Sequence, residues 1–531
     1  MKKIFLYPLC LFAAGLPVFA QESSEKIQLP EVTTVITAKD LIVPNDVLPD
    51  FEDVIEDQTG SGKINPVLPE IYDETENDEV ANVQKPADKS IFAEGKIGGG
   101  YPLGIYGDFT IHHLNPKSPF QLSFLHDSAA GYSGTALSEG YNDSATSFNL
   151  DKGFNFENLY TGVNFLYDNN KNGLQNKVEN ISDVNHNKIG TSADVMWNFT
   201  ENFALSGNLG FNTYNRYLDV TGTSIPSLWT FNVSPSVALN WQNEHFSAGA
   251  DLAYDFDYEK SAVHRLSTGL DFGYKNQILN IFSDVHFVFG NALNDNIFIV
   301  PFNLGVEANF PVSFATRNFK IFAKGGLDSK RYKLSDYEEL YNFVAMDFTP
   351  SEVSDWYGIL EVTVPVLYSF TGTAKAEYRY TAFGNKFYSP VFDSAYCTNG
   401  LYGFDSEERS ILVTDIDLSY FYKLFTCNLQ WHGNWFYTPV LEDPMSVKLS
   451  LSMESEESNW KGSLSAEMGI NKDGVSIPIV DLSGFVKLSD SINLVASLND
   501  MVNLFTGNKR IYAGQYIARG GSASVMIKFF F

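Results

Sequence analysis

The strongest constraint on this chain is a two-residue rhythm of apolar and polar side chains. It is sustained over stretches of about 10–13 residues and repeated along most of the sequence. From Phe203 to Phe211, the residues Phe203, Leu205, Gly207, Leu209 and Phe211 share one face, and the other face is small and polar. Residues 246–256 repeat the pattern, with Phe246, Leu252, Tyr254 and Phe256 opposite Ser247, Asp251 and Asp255. Val447, Leu449 and Leu451 alternate with Ser or Lys, and Trp460, Leu464, Ala466 and Met468 oppose Lys461, Ser463, Ser465 and Glu467. The last eight residues do the same: Val525, Ile527, Phe529 and Phe531 lie on one face, and Ser524, Met526, Lys528 and Phe530 on the other. A period of two belongs to strands, whose successive side chains point to opposite faces.

Alternating strands also build soluble sandwiches, but these use shorter strands with their polar face in bulk water. Here the apolar face carries aromatics near its ends, as membrane-interface girdles do, and charges such as Asp251, Asp415 and Asp417 recur on the polar face. A polar lumen accommodates those charges. Unpaired backbone cannot face lipid, so such strands must close on themselves. The reading is an all-β chain, a transmembrane antiparallel β-barrel of the bacterial outer membrane. The alternation also explains a 15% aromatic content alongside a mean hydropathy near neutral.

Connections alternate in length. Short ones fall at 115–118, 198–202, 242–244 and 489–491, and long ones at 128–143, 168–187, 213–226, 328–352 and 382–408. Short turns on one side and long loops on the other are the outer-membrane arrangement. Residues 91–531 divided this way give about 22 strands, an even number that returns both ends of the barrel to one side.

The flanking segments fit export. Lys2-Lys3, an apolar run from Ile4 and Val18-Phe19-Ala20 read as a signal peptide over residues 1–20, too short for a membrane span. Residues 21–90 hold 17 Asp and Glu against 5 Lys, a net −12 of the chain's −28, and are dotted with prolines. Such composition buries little apolar surface, so an extended periplasmic segment is expected. The acidic total argues against nucleic acid as a partner. After cleavage two cysteines remain. Cys397 is expected in a surface loop and Cys427 on a lipid-facing strand position, a separation no disulfide spans.

Residues 524–531 resemble the C-terminal signal by which outer-membrane barrels are recognised for assembly, with Val525, Ile527, Phe529 and Phe531 as its apolar face. Asn499-Asp500-Met501-Val502-Asn503-Leu504-Phe505, then Tyr512, Gly514, Tyr516 and Arg519-Gly520-Gly521, look like the end of TonB-dependent outer-membrane receptors. The Arg-Gly-Gly order departs from the Gly-Arg turn of that family. Gly95 to Tyr101, His112-His113, His126-Asp127-Ser128 and Gly140-Tyr141 resemble the start of a plugless barrel group related to those receptors. Glu31, Val32, Thr33, Thr34, Val35, Ile36, Thr37 and Ala38 are similar to a TonB box, an extended β-branched stretch able to add to a partner's sheet edge. The resemblance implies a transport barrel moving a nutrient or small solute, with a TonB-like periplasmic protein, the barrel-assembly machinery and outer-membrane lipid as partners. The family's globular plug is the main departure. Only about 50 residues, acidic in composition and dotted with prolines, separate Ala38 from the first strand, too few for a core of useful size.

No nucleophile context or phosphate cradle is recognisable, so no catalytic residue, enzymatic activity or cofactor is expected. His112 and His113 point to opposite faces of a strand and cannot chelate one metal, and His286 and His432 read as solvated lumen histidines, so no metal site is expected. Glu338-Glu339 and Glu407-Glu408 read as solvated loop carboxylates. Two alternatives accompany transport. One is a passive porin-like pore partly blocked by the acidic segment. The other is an adhesive barrel displaying Tyr388, Tyr396, Tyr402 and Phe404 on the 382–408 loop.

Overall fold

The alternating stretches are strands. The structure, a computed structural model, describes residues 91–531 apart from positions 114, 133–134, 136–138, 221–222, 292, 294–297, 313–317, 351, 368, 383–385, 399 and 473. The signal-peptide region, the acidic segment and the TonB-box-like stretch lie outside the described residues. The principal strands are β1 (Ile91–Tyr101), β2 (Leu103–His113), β3 (Phe120–Ala130), β4 (Asn142–Asn155), β5 (Leu159–Gly173), β6 (Ile181–Asn198), β7 (Phe203–Val220), β8 (Thr223–Gln242), β9 (Phe246–Tyr258), β10 (Ala262–Lys275) and β11 (Leu279–Gly290). They continue as β12 (Phe302–Phe310), β13 (Phe319–Arg331), β14 (Glu352–Leu367), β15 (Phe370–Thr381), β16 (Ser410–Tyr422), β17 (Phe425–Trp435), β18 (Met445–Glu454), β19 (Trp460–Asn471), β20 (Ile479–Ser489), β21 (Ile492–Asn499) and β22 (Ser522–Phe530).

Each strand pairs antiparallel with the next. β22 then returns to β1, from Glu94 opposite Phe530 to Tyr101 opposite Ala523. The result is a closed antiparallel barrel of 22 strands, the number expected from the sequence. Closure leaves no unpaired edge, which is the condition for strands in lipid. Strands spaced ~4.8 Å apart and tilted ~40° give this barrel a width of about 40–45 Å.

The outward face marks the membrane. Trp197, Phe199, Phe203 and Trp241 form one run of ring contacts near the short-turn end, at centroid distances of 5.6, 5.9 and 6.5 Å. Trp229, Phe231 and Tyr258 form another toward the opposite end, with Trp229–Phe231 at 5.3 Å and Phe231–Tyr258 at 5.6 Å. Ten residues of β8 separate Trp241 from Phe231. At ~3.3 Å per residue and a tilt of ~40°, that is about 25 Å of height, the apolar band of an outer-membrane barrel. Val237, Leu239, Leu209 and Leu252 lie exposed within it.

The lumen face carries the polar set. His432 pairs with Asp415 at 2.6 Å, Gln430 donates to Asp417 at 3.1 Å, and His286 lies 4.0 Å from Asp251. Both histidines therefore sit on the inner face, as expected. Cys427 shares the outward face with the exposed Phe425 and Leu429, Cys397 lies in the loop between β15 and β16, and both thiols are free. In β22, Val525 and Ile527 are exposed, as is Phe531 just beyond it. Phe529 shares their face and is half-buried, because its ring covers Gly95 and meets Phe109 at 5.8 Å.

Two expected loops are corrected. Residues 168–187 and 213–226 are mostly strand: β5 runs to Gly173, β6 starts at Ile181, β7 runs to Val220 and β8 starts at Thr223. These extensions rise beyond the apolar band, so their outward residues are polar, as Asn169, Asn187 and Asn215 show. With the outward face polar the alternation fades although the ladder continues.

Candidate functional site

The longest connections leave the barrel at one end, and there they fold onto one another. The segment between β13 and β14 carries helix α1 (Leu334–Leu340). The segment between β15 and β16 forms two short antiparallel pairs, Phe387–Pro390 with Phe404–Glu407 and Cys397–Thr398 with Leu401–Tyr402. The segment between β21 and β22 forms helix α2 (Met501–Thr506) and a pair of Ile511–Ala513 with Tyr516–Ile517.

These segments reach across the mouth. Gln175, between β5 and β6, exchanges two hydrogen bonds with the backbone of Ile517, at 2.9 and 3.0 Å. Ala345 donates to the carbonyl of Tyr402 at 2.8 Å, and Tyr402 to that of Phe343 at 3.0 Å, joining the α1 segment to the 382–409 loop. The Tyr516 hydroxyl donates to the Gly400 carbonyl at 2.7 Å. Gly400 has φ +78°, and a Cβ there would collide with Val178, so glycine is required both for conformation and for approach.

An aromatic core holds the segments together. Tyr337 is fully buried and meets the rings of Phe348 at 5.1 Å, Phe404 at 5.5 Å and Tyr332 at 5.7 Å. Phe343 stacks on Tyr516 at 3.9 Å and 8°. Leu174, Val344 and Leu334 complete the cluster, which rests on the inner-face residues Val184, Leu228 and Val353. A closed barrel has little core of its own, so this cluster is a second hydrophobic nucleus built from connections. It forms a lid.

The alternative of displayed loop aromatics is corrected for three of its four rings. Tyr402 is buried, and Tyr388 and Phe404 pack against the same cluster, because each ring removes more apolar area from water by joining it. Glu338 is likewise no solvated loop carboxylate: it is fully buried.

Glu338 is the hub that ties lid to barrel. Arg216 of β7 places Nε 2.6 Å from its Oε1 and also donates to the Val344 carbonyl at 2.8 Å. The Tyr214 hydroxyl donates to Glu338 Oε2 at 2.7 Å, and His186 Nε2 lies 3.5 Å from Oε1. Burial pushes the Glu338 carboxyl above its ordinary range, opposed by Arg216 and the Tyr214 hydrogen bond. A second junction lies nearby. Arg331 Nε donates to Asp257 at 3.2 Å, and Glu259 accepts from the Leu334 amide at 3.2 Å, at the start of α1. Burial also raises the Glu259 carboxyl, and Arg331 opposes it. Arg265 reaches Glu352 at 3.2 Å and Arg409 reaches Asp355 at 3.4 Å, so buried pairs stand along the rim.

Directly beneath α1 lies an open-sided cavity of about 560 Å³. Glu338, Glu339 and Asn342 form its roof, and Asp168, Asn170 and Lys188 are among the strand residues of its wall. Arg519 enters from the last connection and holds Asp127 at 3.1 and 3.4 Å. Of the 15 lining residues only Ala145 lacks a polar side chain, so the arrangement can exchange hydrogen bonds with a solute from several sides.

The resemblance motif at 499–505 organises this corner. Asp500 accepts from Asn503 N at 3.3 Å and from Arg510 Nε at 2.7 Å, and Asn503 Oδ1 accepts from Gly521 N at 3.1 Å. The knot turns the last connection over the mouth and delivers Tyr516 and Arg519. Sequence reasoning missed the lid itself. Its one legible signal was the aromatic density of residues 332–348 and 387–404, which no surface loop needs.

No protein-family model matches the sequence, and no curated protein matches it. Solved structures do. The FrpB iron transporter from Neisseria meningitidis (F3-3 variant) superposes with a TM-score of 0.61 at 10% identity, over 84% of this chain and 82% of that one. The copper transporter OprC gives 0.61 at 8% identity, over 83% and 80%. The siderophore receptor PiuA from Acinetobacter baumannii gives 0.58 at 10% identity, over 84% and 82%. At these identities the likeness is one of fold. The chain has the 22-strand outer-membrane barrel of the TonB-dependent receptors, as the sequence resemblance implied.

Proposed function

We propose that this chain is an outer-membrane transport barrel that moves a small solute and is gated at its loop end by its own folded connections. The observation that carries the reading is a polar cavity roofed by the lid, lined by residues of the lid and of the barrel wall alike. The solved barrels of the same fold are described as iron, copper and siderophore proteins, which supports transport and leaves the cargo open. A lid with its own hydrophobic core disfavours a steadily open porin. The short-turn end, where β1 begins and β22 ends, faces the periplasm in this reading, and the N-terminal segment lies there too.

Glu31 to Ala38 would contact a TonB-like energising protein by strand addition. Thr33→Pro and Val35→Pro remove ladder donors and should abolish uptake, and unchanged uptake in both variants would sink the box. Val525, Ile527, Phe529 and Phe531 would present the apolar face read by the assembly machinery. The deciding experiment is single-channel conductance of the refolded full-length protein in a planar bilayer, with and without residues 21–90. Silence or rare openings in both forms, with steady conductance once the 382–409 loop is deleted, is the expected result. Large steady conductance of the intact protein would refute gating by the lid.

A further inference from the structure

The cavity beneath the lid is selective by its charge pairing. Two fixed cations face it, and each is already matched: Lys188 with Glu339 at 2.8 Å and Arg519 with Asp127 at 3.1 Å. Glu338 is held by Arg216 at 2.6 Å. Two further carboxylates, Asp143 and Asp168, also line the cavity, and among the described residues neither forms an ion pair with a base. An anionic solute would therefore meet no free positive charge and would lie among carboxylates, at a cost in both desolvation and repulsion.

The remaining groups suit hydroxyls. Asp143 and Asp168 are acceptors, and Asn170, Asn172 and Asn342 each offer donor and acceptor atoms. A sugar hydroxyl donates and accepts at once, so it satisfies both kinds of wall without bringing charge. Small-molecule sites are ordinarily ~300–1,000 Å³ and mostly apolar. This cavity has the size, and polar and apolar atoms share its surface almost equally, which suits a solute that carries hydroxyls on a carbon framework. Its roof residues Glu338 and Glu339 are also the groups that fasten the lid, so occupancy and lid position share atoms.

We propose that the cavity binds an uncharged, polyhydroxylated solute of the oligosaccharide class and that the bound solute competes with the Lys188–Glu339 pair, loosening the lid. The inference rests on the transport reading. Register places Asp168 opposite Lys188 and Asn170 opposite His186 on the lumen face, so both can be changed without touching Arg216 or Glu338.

The test is calorimetric titration of the full-length protein in detergent. The probes are a panel of neutral trisaccharides differing in linkage, trigalacturonate as the anionic counterpart, and spermidine as a polycation. At least one neutral trisaccharide should bind, and Asp168→Ala and Asn170→Ala should each weaken it tenfold or more. Trigalacturonate should not bind, and any spermidine attracted by the acidic residues 21–90 should bind equally to Asp168→Ala and Asn170→Ala. Binding of either charged probe in place of the neutral sugars, or no neutral sugar bound, overturns the proposal. Heat-modifiable gel migration of both variants reports that the barrel is folded, and Asn170→Asp, which keeps acceptor capacity, should retain part of the affinity. Liposome swelling with the same sugars separates the two readings. Binding without flux overturns transport and leaves the site, whereas flux without binding does the reverse.

Discussion

Replacing Arg216 by Ala tests the lid most directly. Arg216 is 2% exposed and Glu338 is 0% exposed, so the truncation leaves a carboxylate in the lid interior with its ion-pair partner gone. Breaking a buried pair from one side costs about 3–5 kcal/mol. At about 1.4 kcal/mol per factor of ten, the open-to-closed ratio of the lid should rise between roughly a hundredfold and a few thousandfold. Arg216 also holds the Val344 carbonyl, so its loss acts at two points of the same segment. Glu338→Leu should cost a similar amount by stranding Arg216. Arg216→Met with Glu338→Leu, which fills the volume with apolar atoms, should cost much less than either single change, because no charge is then left buried. The assay is open probability in single-channel recordings, with heat-modifiable migration confirming an intact barrel. Additive effects in the double variant, or unchanged gating in Arg216→Ala, would refute the hub.

Other consequences follow from the same geometry. The Glu338 and Glu259 carboxyls are raised by burial, so their contribution to lid closure is fully present below the ordinary value of 4.5 and is lost as pH climbs through the raised values. Open probability should therefore increase from pH 4 toward neutral, and Glu338→Gln should flatten that rise. Gly400→Ala introduces a side chain at φ +78° against Val178 and should make the 382–409 loop cleavable by added protease under conditions where the parent resists. Phe529→Ala uncovers Gly95 and removes the contact with Phe109, and should slow barrel assembly in cells, read as accumulation of the unfolded band. Normal assembly kinetics would count against the C-terminal face as a signal.

Outward residues such as Leu209, Val237 and Ile527, and lumen residues such as Asp415 and His432, could be assigned to their faces from position alone. A strand's period is local and the membrane imposes the same rule on every strand, so each stretch reports its own orientation. The closed barrel follows, since lipid offers no partner to an unpaired backbone. Strand number was legible for the same reason, through regular alternation of short and long connections. Where β5 to β8 rise out of the bilayer the rule no longer applies, and the ends of those strands were read as loops.

The lid obeys no such period. Tyr337, Phe343, Tyr402 and Tyr516 come from three separate connections, and nothing within any one of them says where its apolar side chains will be buried. Glu338 looks in sequence like any loop carboxylate, and only Arg216, 122 positions away on another strand, makes it a buried hub. The cavity is of the same kind, drawing its roof from α1, its wall from the strands and Arg519 from the last connection. The sequence by itself determined the barrel, because the bilayer constrains each strand independently. The tertiary structure decided how the mouth is closed and what lies beneath it, because those depend on contacts between segments far apart in the chain.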